Sequence, residues 1–196
     1  MLIIPTSAEI DSLKEMRINE YLKTINWLKK NVLDSNIIFI ECVSKGESYI
    51  ENYYPVYYSS CHKNHFNNKG ANLGLSLKKF FLENKIDDEL IVQFTGRYNF
   101  ISDTFFSCMR ENPDYDFYGK LIGDQYFTGC FAMKKEYMVE WLNTTDWEEL
   151  NFKMINIEKS LRDYVILKNL NCYHLDKINI DCNIFGNGTL LDRRII

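Results

Sequence analysis

At 196 residues with 46% hydrophobic side chains, the chain has the length of a single domain and enough apolar mass for a core. Its formal charge of -4 gives no basic field for a polyanion, so nucleic acid is not an expected partner. No apolar run reaches the ~18 residues of a membrane span, and the opening MLIIPTSAE is too short for a signal peptide. The six cysteines, at 42, 61, 108, 130, 172 and 182, show no CxxC pair and no metal-ligand spacing. They read as reduced core thiols of a cytoplasmic protein.

Leu2-Ile3-Ile4 is a short buried strand ended by Pro5. Thr6-Ser7-Ala8-Glu9 then has capping-box spacing. Ile10, Leu13, Tyr21, Leu22, Ile25, Leu28 and Val32 recur as one face of a helix, with Lys14, Glu15, Asn19, Lys23 and Lys29 on the other. Ile37 to Ile40 is a second strand with a polar exit, Glu41 to Gly46, that includes Ser44. Strand, helix and strand form a βαβ unit, parallel and right-handed by default. Residues 46–66 are tyrosine-rich and irregular, with a strand at Tyr53 to Tyr58.

Asn67 to Gly70 are turn residues, and Leu73, Leu77, Phe80 and Phe81 behind them fall on one helical face. Leu90, Ile91, Val92 and Phe94 make a nearly continuous apolar run, the pattern of a strand covered on both faces. The run stops at Thr95-Gly96-Arg97-Tyr98. Ligands of open α/β sheets lie beyond the carboxyl ends of strands, so this exit reads as a binding edge. Gly96 lets backbone approach a ligand, and Arg97 supplies a permanent charge with forked donors for phosphate or carboxylate.

Further on, Ser102-Asp103-Thr104 caps a helix carrying Phe105, Phe106 and Met109, and Pro113 ends it. Tyr115 to Ile122 alternates like a strand, and Gln125 to Met133 has Gly129 between two apolar halves. Lys134 to Leu142 is helical. Asp146 caps a long amphipathic stretch in which Trp147, Leu150, Met154, Ile157, Leu161 and Val165 recur every three or four residues. Tyr173 to Leu175 and Ile178 to Ile180 are small strands, followed by a turn at Gly186-Asn187-Gly188. The fold class is α/β, with a mostly parallel central sheet flanked by helices.

Pro5-Thr6 after the first strand, Asn72-Leu73-Gly74-Leu75 in the loop and helix, and the strand Ile91 to Phe94 follow one another in order. Thr128-Gly129-Cys130-Phe131-Ala132-Met133 and Glu158-Lys159-Ser160-Leu161-Arg162 come next. This order resembles the nucleotide-sugar-binding half of a GT-A-type glycosyltransferase, a Rossmann-like architecture. The resemblance implies transfer of a sugar from a nucleoside diphosphate sugar to a glycan or glycoprotein acceptor. It places Pro5, Thr6 and Asn72 on the donor side and Thr128, Gly129, Cys130 and Phe131 on the acceptor side, and the strand exits and charges add Ser44, Lys69, Thr95, Gly96, Arg97 and Tyr98 to the donor side.

Where the family pattern has an Asp-x-Asp element for a divalent metal, this chain has Thr95-Gly96-Arg97. Either Arg97 neutralises the leaving diphosphate itself, or Asp103 holds Mg²⁺ or Mn²⁺ with the substrate phosphates completing the shell. Cationic donors such as Arg97 and Lys69 would stabilise charge on the departing diphosphate. An inverting transfer needs a carboxylate base, for which Glu158 is the first candidate and Asp124 the second.

Each of these residues also has a plainer reading. Arg97 can pair with a carboxylate, Lys69 can be a solvated loop residue and Asp103 a helix cap, and Glu158 can pair with Arg162 at i+4. His62 and His65, three apart in a polar loop, need converging ligands before they count as a metal pair. Two other functions share the features. A sugar-phosphate nucleotidyltransferase has the same architecture, though Pro5-Thr6-Ser7-Ala8 is not its Gly-rich basic loop, and a non-catalytic nucleotide- or carbohydrate-binding module would naturally lack the aspartate pair.

Overall fold

The computed structural model describes residues 1–7, 14–32, 36–44, 46–59, 65–186 and 189–196, with backbone alone at 14, 183–186 and 189–193. Several sequence readings therefore lie outside the described residues: Ala8-Glu9 of the capping box, Ile10 and Leu13 of the first helix, Cys61, His62 and the 187–188 turn.

In chain order the elements are β1 (Leu2–Thr6), α1 (Lys14–Asn31), β2 (Ile37–Glu41), a 3-10 turn (Tyr49–Asn52), β3 (Val56–Tyr58), α2 (Lys69–Glu83), β4 (Leu90–Phe94) and β5 (Asn99–Phe100). Then come α3 (Thr104–Glu111), β6 (Phe117–Gly119), β7 (Leu121–Ile122), β8 (Gln125–Tyr126), β9 (Cys130–Lys134) and α4 (Lys135–Thr144). The chain ends with α5 (Trp147–Phe152), α6 (Ile157–Leu167), β10 (Cys172–His174), β11 (Ile180–Gly186) and β12 (Thr189–Ile195).

Seven strands form the central sheet in the order β10-β6-β9-β4-β1-β2-β3. β9 alone runs against its neighbours β4 and β6, and the remaining pairs are parallel. The sheet is mostly parallel, as the alternation of elements implies. β5, β11 and β12 make a small antiparallel sheet, and β7 with β8 is a hairpin.

The apolar runs of β1 and β4 are buried on both faces because helices cover both. On one side Tyr21, Ile25 and Leu28 of α1 pack against Ile4, Phe39, Val92 and Phe94. On the other, Leu77, Phe80, Trp141, Trp147 and Leu161 from α2, α4, α5 and α6 pack against Ile3, Ile40, Ile91 and Phe131. Side chains of this size contribute about 1.5–3 kcal/mol each when fully buried. The two faces therefore carry the bulk of the apolar stabilisation.

Pro5 does not end the first strand. It pairs in register with Ile40, and Thr6 with Glu41. The β1–β4 ladder covers only Leu2 and Ile3, so the missing Pro5 donor faces a side where no ladder bond is due. Its carbonyl still accepts from the Gly96 amide at 3.4 Å.

The long stretch from Trp147 to Val165 is two helices. Lys153 to Asn156 breaks it, and Met154 takes a φ of 51° and stands exposed, off the apolar face. Asp146 does cap α5, accepting from the Glu149 amide at 2.9 Å. Asp103 sits at the N-cap position of α3 but its side chain makes no cap bond. Ser102 Oγ accepts from the Thr104 amide at 3.4 Å instead. Tyr115 to Ile122 resolves into the short β6 and β7 rather than one strand.

Candidate functional site

Parallel neighbours β1, β2 and β4 end on the same edge of the sheet, which brings Thr6-Ser7, Glu41 to Ser44 and Thr95 to Tyr98 together. Glu41 is fully buried there. Its Oε2 accepts from Thr6 Oγ1 at 2.9 Å, and its Oε1 accepts from the Val43 and Ser44 amides at 2.8 and 3.3 Å. A buried carboxylate is tolerated because these donors solvate it. Ser44 Oγ turns back to the Gly46 carbonyl at 2.6 Å.

Arg17, in the first turns of α1, donates from Nη1 to the Ser7 carbonyl at 3.1 Å and also to Ser7 Oγ. The Ser7 amide donates to the Tyr21 hydroxyl at 2.9 Å. The Tyr21 ring also lies against Gly96. A β-carbon at that glycine would stand 2.8 Å from Tyr21 Cε1 and 2.7 Å from Ile4 Cγ2. The protein's own packing is therefore reason enough for glycine at position 96. Tyr21 thus clamps the exits of β1 and β4, with Arg17 on one and Arg97 on the other.

Arg97 Nε is buried and has no hydrogen-bond partner, and the guanidinium makes no ion pair among the described residues. Its carbon lies 5.4 Å from the centre of the Tyr98 ring, which stacks on Phe127 at 5.8 Å. Burial lowers the Arg17 pKa, the Arg97 charge lowers it further, and Tyr21 and Glu41 oppose the change. Burial raises the Tyr21 pKa against the Ser7 amide and the charges of both arginines. The charge of Arg97 is thus felt at Arg17, and both act on Tyr21, while the acid beside them, Glu41, is already engaged. Such an edge suits an anion.

Arg17 was not singled out from the sequence, yet a signal existed. Leu13, Arg17, Tyr21, Ile25 and Leu28 follow an i, i+4 and i+3 row, so Arg17 is a charge set in the apolar face of its helix.

The opposite face of β4 carries a second polar group. Gln93 is fully buried, and its Nε2 donates to the Thr128 carbonyl at 2.6 Å while its Oε1 lacks a partner. Thr128 Oγ1 donates to Glu158 Oε1 at 2.8 Å. Arg162 pairs with Asp163 at 3.3 Å, so among the described residues the helical pairing expected for Glu158 gives way to Thr128. The Thr95 amide donates to the Gly129 carbonyl at 2.8 Å. Gly129 itself lies under aromatic rings, since a β-carbon there would meet Phe127 Cζ at 2.3 Å and Tyr98 Cε2 at 2.5 Å. Cys130 and Phe131 are fully buried in the two core clusters, one on each face. They line the core and present nothing to an acceptor, and burial holds the Cys130 thiol well above its ordinary pKa.

The remaining candidates stand elsewhere or are already engaged. Asn72 spends its amide on Phe66, accepting from the backbone N–H at 2.9 Å and donating to the carbonyl at 2.8 Å. Lys69 is exposed at the start of α2. The amino end of that helix is closed by Asn68, whose Oδ1 accepts from Gly70 and Ala71 and whose Nδ2 donates to the Ile155 carbonyl at 2.8 Å. Asp124 is exposed in the turn joining β7 to β8. Asp103 accepts from Arg110 at 3.1 Å and Ser107 at 3.0 Å, linking the first and last turns of α3. Among the described residues no three His, Cys, Asp or Glu side chains meet in a group that could hold a metal ion.

No protein-family profile matches the sequence, and no curated protein matches it. Solved structures do match. An inositol-1-phosphate CTP transferase from T. maritima superposes with a TM-score of 0.55 at 12% identity, over 89% of this chain and 84% of that one. The chain shares the α/β, Rossmann-like fold of that structure, with a mostly parallel central sheet flanked by helices. A CTP:phosphocholine cytidylyltransferase from Streptococcus pneumoniae gives 0.51 at 13% identity over 91% of each chain. A galactosyltransferase, LgtC, covers 88% of this chain and 72% of its own at 9% identity, but its TM-score of 0.46 carries no argument.

Proposed function

We propose that the protein is a nucleotidyltransferase that joins a nucleoside monophosphate, taken from a nucleoside triphosphate, to a phosphorylated small molecule such as a sugar or polyol phosphate. The observation that carries this is the charged edge at the ends of β1 and β4, where Arg17 and Arg97 are near enough for the charge of one to act on the other and Arg97 has no ion-pair partner among the described residues. The fold supports it too, since the matches with TM-scores above 0.5 described above are both named as enzymes that use CTP.

In this reaction a phosphate oxygen of the acceptor attacks the α-phosphorus. The new P–O bond forms as the bond to the β-phosphate oxygen breaks, and pyrophosphate leaves with the electron pair. Charge grows on the departing oxygen, and a fixed guanidinium beside it lowers the barrier without having to reorganise. The acceptor phosphate is already ionised near neutral pH, so no general base is needed.

Glycosyl transfer is the second reading. It is favoured by Glu158, held ready by Thr128, and by the segment Pro5 to Leu13, which contains neither glycine nor a basic residue. The test is pyrophosphate release from each of the common nucleoside triphosphates with a panel of sugar and polyol phosphates. Release that requires both substrates supports nucleotidyl transfer. Release of nucleoside diphosphate from a nucleotide sugar, with no pyrophosphate, moves the assignment to glycosyl transfer, and binding without turnover makes the chain a binding module.

A further inference from the structure

The resemblance to metal-using transferases calls for a divalent cation at the phosphates, and the described donor set does not fit one. The exit of β4 is Thr95-Gly96-Arg97, with no carboxylate. Glu41 is the acid of this edge, and both its oxygens already accept hydrogen bonds, from Thr6, Val43 and Ser44. A cation would have to strip those donors from a buried group. Asp103 is held by Arg110 and Ser107 on α3, and Asp124 stands exposed at a hairpin turn. Glu9 and Asp11, between β1 and α1, lie outside the described residues.

What the edge does offer is positive charge in a fixed place. Arg17 is pinned to the Ser7 carbonyl and Ser7 to Tyr21, whose ring fixes the backbone at Gly96, while the Arg97 guanidinium lies 5.4 Å from the centre of the Tyr98 ring. The Nε of Arg97 is buried without an acceptor, so the residue's charge is not spent on an internal hydrogen bond there. A divalent cation at this edge would be repelled by both guanidinium groups, whereas a diphosphate would meet planar forks of donors suited to paired oxygens.

We infer that Arg17 and Arg97 take the place of the cation, so that this edge binds a pyrophosphate-type group directly on two guanidinium groups, without a bridging divalent metal. The inference rests on the reading of this edge as the phosphate site of the proposed transferase.

The experiment is isothermal titration of the whole chain with inorganic pyrophosphate, first in EDTA and then with MgCl2 or MnCl2. The expected result is binding in EDTA within about threefold of that with metal, weakened at least about tenfold in either condition by Arg97→Gln and by Arg17→Gln. Arg97→Lys, which keeps the charge but not the fork, should retain part of the affinity, and thermal melts confirm that each variant is folded. Binding only with metal overturns the inference and leaves the phosphate site standing. No binding in either condition removes both. Binding that neither arginine variant weakens places the anion elsewhere and overturns the inference as well.

Discussion

The indole of Trp147 lies on Gly74 so closely that a β-carbon at the glycine would stand 2.1 Å from Cζ3 and 2.2 Å from Cη2. The ring is held in that place, because Trp147 is buried and its Nε1 donates to the Leu142 carbonyl at 3.0 Å. The glycine of the Asn72-Leu73-Gly74 pattern is thus a helix-packing residue that lets α5 sit on α2.

Gly74→Ala tests this contact. Alanine at an exposed helical site would gain about 1 kcal/mol of propensity. Here the overpacking cost of about 1–3 kcal/mol, raised by a rigid ring that cannot swing aside, should leave a net loss near 2 kcal/mol. Urea unfolding followed by tryptophan fluorescence would show a lower midpoint at unchanged slope. A variant more stable than the parent would show that the indole moves freely.

Glu158→Gln separates the two chemistries. An ionised phosphate nucleophile needs no base, so nucleotidyl transfer predicts that kcat stays within about tenfold of the parent. Glycosyl transfer to a hydroxyl predicts a fall of about 10²- to 10⁴-fold. Because Thr128 donates to this carboxylate, Thr128→Val should reproduce a small part of whichever effect is seen. A collapse of pyrophosphate release in Glu158→Gln would contradict the nucleotidyl mechanism as drawn.

Asp116 predicts a pH dependence of stability. Burial pushes its pKa up, but the Lys134 ammonium at 2.7 Å and the Asn171 amide at 3.0 Å outweigh that and hold it below the ordinary carboxylate value. A depressed folded-state pKa stabilises the protein above the unfolded value of about 3.9, and the gain is lost as pH falls through the folded value. Asp116→Asn should therefore be about 1 kcal/mol less stable at pH 7, since Lys134 is partly solvated. The difference should close below about pH 4. A gap that stays constant into strong acid would mean the ion pair contributes nothing.

Much of the sheet was legible because its strands are short apolar runs with polar exits, as in Ile37 to Glu41 and Leu90 to Phe94. Helix α2 was legible from its spacing and from the turn residues ahead of it. The break at Met154 was not, because the apolar repeat continues through it in phase while the backbone turns left-handed. Nor was the extent of β11 and β12, whose pairing depends on a partner strand rather than on local pattern. At the site, Arg97 was legible as a charge at a strand exit. Arg17 was marked only by its place in the apolar row of α1, and its meaning depends on Tyr21 joining two strands that are far apart in sequence. Cys130 and Phe131 looked like site residues through their neighbour Gly129, but strand alternation sends one into each core.

Arg97→Gln in the pyrophosphate-release assay bears most directly on the central claim, that the guanidinium at the exit of β4 neutralises the transferring phosphates. Its loss should lower kcat/KM by about 10²-fold or more while the melting temperature stays close to that of the parent. A folded Arg97→Gln protein that releases pyrophosphate within about threefold of the parental rate would contradict the account.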